Sequence, residues 1–371
     1  MDQLEEYLRD LEEIVSFDSG TGNFAGVRRA AEIMKRHYES IGFQASLIDL
    51  GPKAGPGLFA SNKPGADHFD ILFSAHLDTV FPDGAAAERP FARLSDRVTA
   101  PGCMDCKGGV IAFFHALKTL EPEVLSRLSV AVALNPDEET GSLSSREWLL
   151  GLARKSSCAL VGEPGRPGNE MIRSRKGIWG FTVKFSGLAS HAGNHPELGR
   201  DANLALMRFT LEAVKMNDPA AGVSISPTMM KGGSIPNAIS DASEIYFDTR
   251  FRTPEQEAAV ENGIRDLMTR DWVEGVTLSL EEACLRPPMP FTEKDRPFFD
   301  LVAAAAAGAG FEAKWEDAGG GSDGCWMAKA GIPAVDGCGP AGGGAHSKTE
   351  YLLTETVLPR IEMVKNVLRR L

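Results

Sequence analysis

The sequence predicts an α/β protein: a largely parallel sheet in a discontinuous domain, interrupted by a smaller ferredoxin-like α+β domain. Three observations carry this reading. Short buried-strand patterns alternate with helical ones through the first 175 residues, a compact β-α-β-β-α-β run follows, and the α/β pattern then resumes to the end. At 371 residues the chain exceeds the usual size of one core, so two domains are the default. They fall at 1–175 with 284–371, and at 176–283.

Leu4, Leu8, Leu11, Ile14 and Val15 recur at helical spacing and predict a first helix, closed by the turn-rich residues 18–23. A second helix runs from Ala25 to Ile41, stopped by Gly42, with His37 expected to face solvent. Residues 44–50 read as a strand. The apolar run Ile71-Leu72-Phe73, too short for a helix, leads as a buried strand to His76. Asp83 to Thr99 reads as irregular, and Lys107 to Leu120 as a helix with His115 packed in it. Leu128–Leu134 and Cys158–Gly162 are further buried strands, with a helix near Ser144–Leu152 between them. In the middle segment, strands fall at Gly177–Ser186, Val223–Met230, Ser243–Phe251 and Val276–Leu280, and helices at Asp201–Lys215 and Glu255–Thr269. After Cys284 come a helix over 295–308, the glycine-rich Gly319–Gly324 and a strand at Ile332–Val335.

Composition excludes several functions. The apolar fraction of 43% and charged fraction of 24% are those of an ordinary globular protein. A formal net charge of −12 argues against a nucleic-acid binder or a basic membrane-surface protein. No apolar run is long enough to cross a bilayer. The acidic amphipathic start is not a secretion signal, and six cysteines make no dense disulfide framework, so reduced thiols in the cytoplasm are expected. Cys103 and Cys106 mimic half of a zinc knuckle, but no second pair stands at the required distance.

The polar residues just past the buried strands carry the chemistry. His76 closes one strand, and Asp78, two residues on, is placed to take its other ring N–H. Glu138 and Glu139 follow the second strand and Glu163 the third. His346 lies in a glycine-rich loop after the last, and Asp105 in the turn that opens a helix. In a parallel sheet these termini share one rim. Taken singly each has a plain structural reading: Asp105 as a helix N-cap, Glu138-Glu139 as a solvated pair, Glu163-Pro164 as a turn. Together, crowded carboxylates would repel one another unless divalent cations sit among them. Imidazole with carboxylate suits zinc, manganese or cobalt.

These motifs resemble the M20 family of di-zinc peptidases and deacylases. They are His76-Leu77-Asp78, Asp105 followed by Lys107-Gly108-Gly109, Asp137-Glu138-Glu139, Gly162-Glu163-Pro164 and Ala345-His346-Ser347. The resemblance is closest to the glutamate carboxypeptidase (carboxypeptidase G2) branch, through Ser19–Gly22, Ser190–Gly193 and Gly319–Asp323. It implies two divalent metal ions, zinc first and cobalt or manganese as alternatives, bridged by Asp105. His76 and Glu163 would complete one metal, Glu139 and His346 the other. Glu138 would be the general base and Asp78 the partner that orients His76. The family's peptide after the bridging aspartate is cis. Cys106 departs from the pattern; the plain reading is a small buried thiol.

The resemblance further implies hydrolysis of an amide bond in a small peptide or N-acyl amino acid carrying a free carboxylate, biased toward release of C-terminal glutamate. Arg250 resembles the carboxylate clamp and Asn237 its polar neighbour, with Arg286 a candidate for a side-chain carboxylate. N-Deacylation of acetyl- or succinyl-amino acids needs the same metals and base, and a non-catalytic metal- or amino-acid-binding protein on this scaffold is a third reading. For assembly, Gly177–Ser186 reads as a possible edge strand, and Leu204, Met207, Leu211 and Val214 as an apolar stripe. An uncovered edge and stripe invite a two-fold dimer. By the resemblance, His191 would then act in the partner subunit's active site, donating to the oxyanion.

Overall fold

The computed structural model describes residues 2–371. They form two compact units: the chain up to Ser174 with Phe291–Ala318 and Ser322–Leu371, and Arg175–Pro290 with Gly319–Gly321. The first is built on a six-stranded sheet in the order Gln44–Ile48, Gly57–Ser61, Val130–Asn135, Ile71–His76, Ala159–Val161, Ala334–Val335. The last four strands are parallel; the first two form an antiparallel hairpin at one edge. Ile71–His76 and Val130–Asn135 are buried at every position, as strands covered on both faces must be. That requirement explains their unbroken apolar runs.

Register then sets the height of the site. His76 stands opposite Asn135, and Ser74 opposite Val161, so Glu163 leaves its strand level with His76. The helix Lys107–Lys118 crosses beneath this rim, buried from Lys107 to Leu117. It passes so close that a Cβ on Gly109 would lie 1.8 Å from the Gly162 carbonyl oxygen, the physical need behind Lys107-Gly108-Gly109.

Three details of the first unit differ from expectation. Residues 83–99 are not irregular: they hold the short helix Ala85–Glu88 and the strands Ala92–Arg93 and Arg97–Thr99. These strands join a second sheet with Tyr351–Leu353, Gly339–Gly343 and Pro164–Gly165, pieces too short to show a period in sequence. The His346 loop accordingly follows Gly339–Gly343 rather than the strand Ala334–Val335. His37 does not face solvent. Its ring lies 4.7 Å from that of Phe114, and Nε2 is 3.3 Å from Glu13 Oε2, because it sits where its helix meets Lys107–Lys118. Among the described residues no helix is long and apolar enough to cross a membrane, and all six cysteines are free.

The second unit is an antiparallel sheet in the order Ser224–Gly232, Ala242–Phe251, Gly177–Ser186, Thr277–Arg286. The helices Ala202–Ala213 and Pro254–Met268 turn Leu206, Phe209, Val260 and Ile264 onto Phe181, Val183 and Phe247. Gly177–Ser186 is therefore an inner strand, not an edge. A split β-α-β crossover lays the first strand between the third and the fourth, so the edges are Ser224–Gly232 and Thr277–Arg286. The last strand runs on to Arg286 rather than stopping at Leu280, since it keeps its pairing through a bulge at Gly180 and Phe181.

Candidate metal centre

Asp105 occupies the centre of the rim. Its Oδ1 lies 3.2 Å from His76 Nε2, and its Oδ2 lies 3.3 Å from His346 Nε2. Each imidazole nitrogen meets a second carboxylate of its own: Glu163 Oε1 at 3.6 Å from His76, and Glu139 Oε2 at 3.3 Å from His346. Cations with bonds of about 2.0–2.1 Å hold tetrahedral ligands about 3.3–3.4 Å apart. The observed gaps match that edge length, so the residues fit two cations sharing Asp105.

The tautomer of His76 is set by its neighbour. Nδ1 lies 3.0 Å from the Asp78 carbonyl oxygen and 3.3 Å from Asp78 Oδ1, so the Nδ1 proton points to Asp78 and Nε2 to the cluster. Asp78 is wholly buried and also accepts from Thr21 Oγ1 (2.7 Å), Glu138 N (3.1 Å) and Glu139 N (3.2 Å). One carboxylate thereby orients the histidine and pins the turn that carries both glutamates. That turn is the 3-10 segment Glu138–Thr140. It ends in Gly141 at φ 94° and Ser142 at φ 57°, a reversal that a run of ordinary side chains resists. The peptide Asp105-Cys106 is cis.

The carboxylates and imidazoles of the site perturb one another. Burial pushes Glu139 up to about 7, against the pull of His346. Burial and the neighbouring Asp105 raise Glu163 well above the usual range. Burial would raise Asp105 too, but hydrogen bonds from His346 and His76 hold it below the usual carboxylate range. His346 is pushed up to about 10 by Asp105 and Glu139. Crowded carboxylates around two imidazoles are what divalent cations relieve. Cys106 Sγ rests 3.3 Å from the His76 backbone nitrogen and lies within reach of the His76 and Glu163 ligand atoms. Cys103 turns the other way, onto the Val98 carbonyl.

Two residues that sequence reasoning gave no role also belong here. Asp323, fully buried, accepts from Ser142 Oγ at 2.5 Å and Asn135 Nδ2 at 2.6 Å, bracing the glutamate turn. Glu350, four residues beyond His346, accepts from the backbone that carries Asp105. Asp323 stands in the glycine-rich motif and could have been singled out; nothing marks Glu350 in sequence except its distance from His346. Beside Glu139, loops 20–23 and 79–83 line a cavity of about 470 Å³ whose charged lining residues, Asp83 and Glu139, are both acidic.

The remaining expected site residues lie in the second unit. His191 Nδ1 accepts from Gly193 N and Asn194 N, both at 3.1 Å, so Nε2 carries the proton and is a donor. The Asn237 carbonyl accepts from Ala192 N at 2.9 Å and its side chain is exposed. Arg250 grips Asp248 through Nε and Nη2 at 2.7 and 2.8 Å, and Arg286 is 4% exposed.

The fold and a carboxylate–imidazole rim of this kind define a metal-dependent hydrolase. The chain belongs to Peptidase family M20/M25/M40, whose sequence profile matches residues 72–370. It is 28% identical to carboxypeptidase G2 of Pseudomonas sp. (strain RS-16) over 372 residues, 99% of this chain and 89% of that protein. It is 25% identical to acetylornithine deacetylase of Aliivibrio salmonicida over 319 residues, 81% of this chain and 82% of that one. The fold matches the crystal structure of aminopeptidase PepT from Bacillus cereus ATCC 10987 with a TM-score of 0.79 at 20% identity, covering 100% of this chain and 98% of that one.

Proposed function

We propose that the protein is a two-cation amidohydrolase that cleaves small peptides or N-acyl amino acids with a free carboxylate, of the glutamate carboxypeptidase type. One observation carries the two-cation reading: Asp105 divides its oxygens between His76 and His346, each already paired with its own glutamate. His76 and Glu163 would hold one cation, Glu139 and His346 the other, with Asp105 between them. The donor set suits zinc, with cobalt or manganese as substitutes. Bound there, the cations supply Lewis-acid polarisation of the amide carbonyl and acidify water.

The chain's own residues do the rest. Asp78 keeps His76 in the tautomer whose Nε2 is available. Glu138 takes the proton of the attacking water and passes it to the leaving nitrogen. His191 Nε2–H donates to the oxyanion, and Arg250 receives the substrate carboxylate. In the second unit Met207 and Leu211, four residues apart on one helix, are exposed, an apolar surface that supports a homodimer in which His191 serves the partner subunit.

The glutamate bias rests on the arginines of the second unit, and the carboxypeptidase G2 relative supports it. Deacylation of N-acetyl or N-succinyl amino acids is the second reading, supported by the deacetylase relative. The test is metal analysis of the purified protein beside a panel of dipeptides and N-acyl amino acids, each also as its C-terminal amide. Equal rates on acid and amide would remove the carboxylate clamp. Full metal content with no turnover of any member would remove the activity.

A further inference from the structure

We propose that Glu350 is a positioning residue that presets Asp105 to bridge two cations. The proposal rests on the two-cation reading above and concerns what makes the bridge possible. The turn before the helix Lys107–Lys118 presents several backbone N–H groups to one point. Glu350 fills that point: Oε2 accepts from Gly102 N at 2.8 Å, and Oε1 from Met104 N at 3.0 Å and Asp105 N at 3.1 Å. Such a concavity of amides is an anion cradle, here filled by a side chain of the same protein that is only 1% exposed.

The cradle depends on Gly102, at φ 73°, where a Cβ would meet Thr79 Cγ2 at 2.6 Å. The donor nearest the reaction is the amide of Asp105 itself. Fixing that amide fixes the direction from which the Asp105 side chain leaves the backbone. Its two oxygens can then face different imidazoles instead of both turning to one. His346 and Glu350 share one loop, bent tightly by the bond from Ser347 N to Gly344 O at 3.1 Å, with His346 at φ 59°. One loop therefore delivers a ligand of the second cation and holds the bridging residue to receive it.

Buried Glu350 also brings negative charge close to a site already rich in carboxylates. The nearby Lys107 ammonium, bonded to Ser19 Oγ at 2.6 Å, offsets part of it. A buried carboxylate beside other carboxylates is costly unless hydrogen-bond donors compensate it. Three backbone donors converging on it supply that compensation.

Glu350→Gln separates the positioning role from simple packing. The amide can keep the two bonds of Oε1 but turns an NH2 group toward the Gly102 N–H. Cobalt(II) or manganese(II) would be titrated into the purified full-length protein, with magnetic coupling between the two ions read by electron paramagnetic resonance and the fold followed by circular dichroism. The parent should bind two coupled ions; a parent binding fewer would overturn the two-cation reading and this inference with it. In Glu350→Gln the first ion should bind as in the parent, the second roughly 10–100-fold more weakly, with the coupling reduced or lost. Glu350→Asp, which keeps the charge and shortens the reach, carries the same test should the first variant misfold. Two tightly bound, normally coupled ions in either folded variant would overturn the proposal.

Discussion

Arg250 and Arg286 are both register partners of Ile178, one on each side of it. Directly paired residues share a face of a sheet, so the two guanidinium-bearing residues stand on one row with one strand between them, about 10 Å apart at their Cα atoms. The Gly319–Gly321 segment lies against the same row: Arg250 Nη1 donates to the Gly319 carbonyl at 3.4 Å, and a Cβ on Gly321 would touch Arg286 Cδ at 2.9 Å. Two guanidinium-bearing residues on one row suit a substrate with two carboxylates once Arg250 exchanges Asp248 for the substrate, the main support for a glutamate side chain. Arg250→Met should lower kcat/KM for N-acyl glutamates roughly 10–100-fold, the loss of one charge-assisted pair, while Arg286→Met should reduce the preference for glutamate over alanine. Steady-state rates on matched glutamate and alanine substrates check both.

Glu138 is asked to move a proton and not to bind metal. Glu138→Ala should cost roughly 10²–10⁴-fold in kcat with metal content unchanged by elemental analysis. Survival of turnover would move the base elsewhere.

The role assigned to His191 across a dimer can be read by complementation. His191→Ala and Glu138→Ala are each expected to be nearly inactive; mixed and allowed to exchange subunits, they should form hybrids with one complete site. No recovered activity, with exchange confirmed by mass, would place His191 in its own chain's chemistry or outside the reaction.

Asp83, the acidic lining residue of the cavity beside Glu139 that no proposed cation neutralises, disfavours an anionic acyl group by like-charge repulsion. Among N-acyl glutamates, succinyl should therefore be hydrolysed more slowly than neutral acyl groups of similar size. A competition assay against butanoyl-glutamate decides it, and faster succinyl turnover would favour the desuccinylase-like reading.

Acid stability should depend on a pair outside the Asp105 cluster. His115 Nε2 lies 2.9 Å from Asp10 Oδ2, both buried. Burial acts to raise Asp10, but the His115 hydrogen bond and the charges of His115, His37 and Lys118 outweigh it and hold Asp10 below its ordinary value. A depressed folded-state pKa contributes stability that is present above the unfolded pKa, about 3.9, and lost as pH falls through the folded value. Asp10→Asn should thus be less stable than the parent by about 1–3 kcal/mol near neutrality, and the difference should shrink below about pH 4. Thermal melts across that range would show it.

The sequence by itself determined the alternation of buried strands and helices, because a strand covered on both faces has to be apolar throughout. It also placed His76, Glu138, Glu139 and Glu163 just past strand ends, and the β-α-β-β-α-β order of the second unit. It left other features undetermined. His115 gave no sign of Asp10, nor His37 of Phe114, since partners 105 and 77 residues away leave no local period. The strands at 92–99 were too short to read, and Gly177–Ser186 became an inner strand only through pairing on both sides. Only tertiary structure decided that Asp105 faces two histidines at once, that Arg250 and Arg286 share a row, and that Glu350 closes on the amide of Asp105. Such relations depend on register and on the packing of distant segments; a shift of one residue in its strand would turn Arg250 or Arg286 to the opposite face.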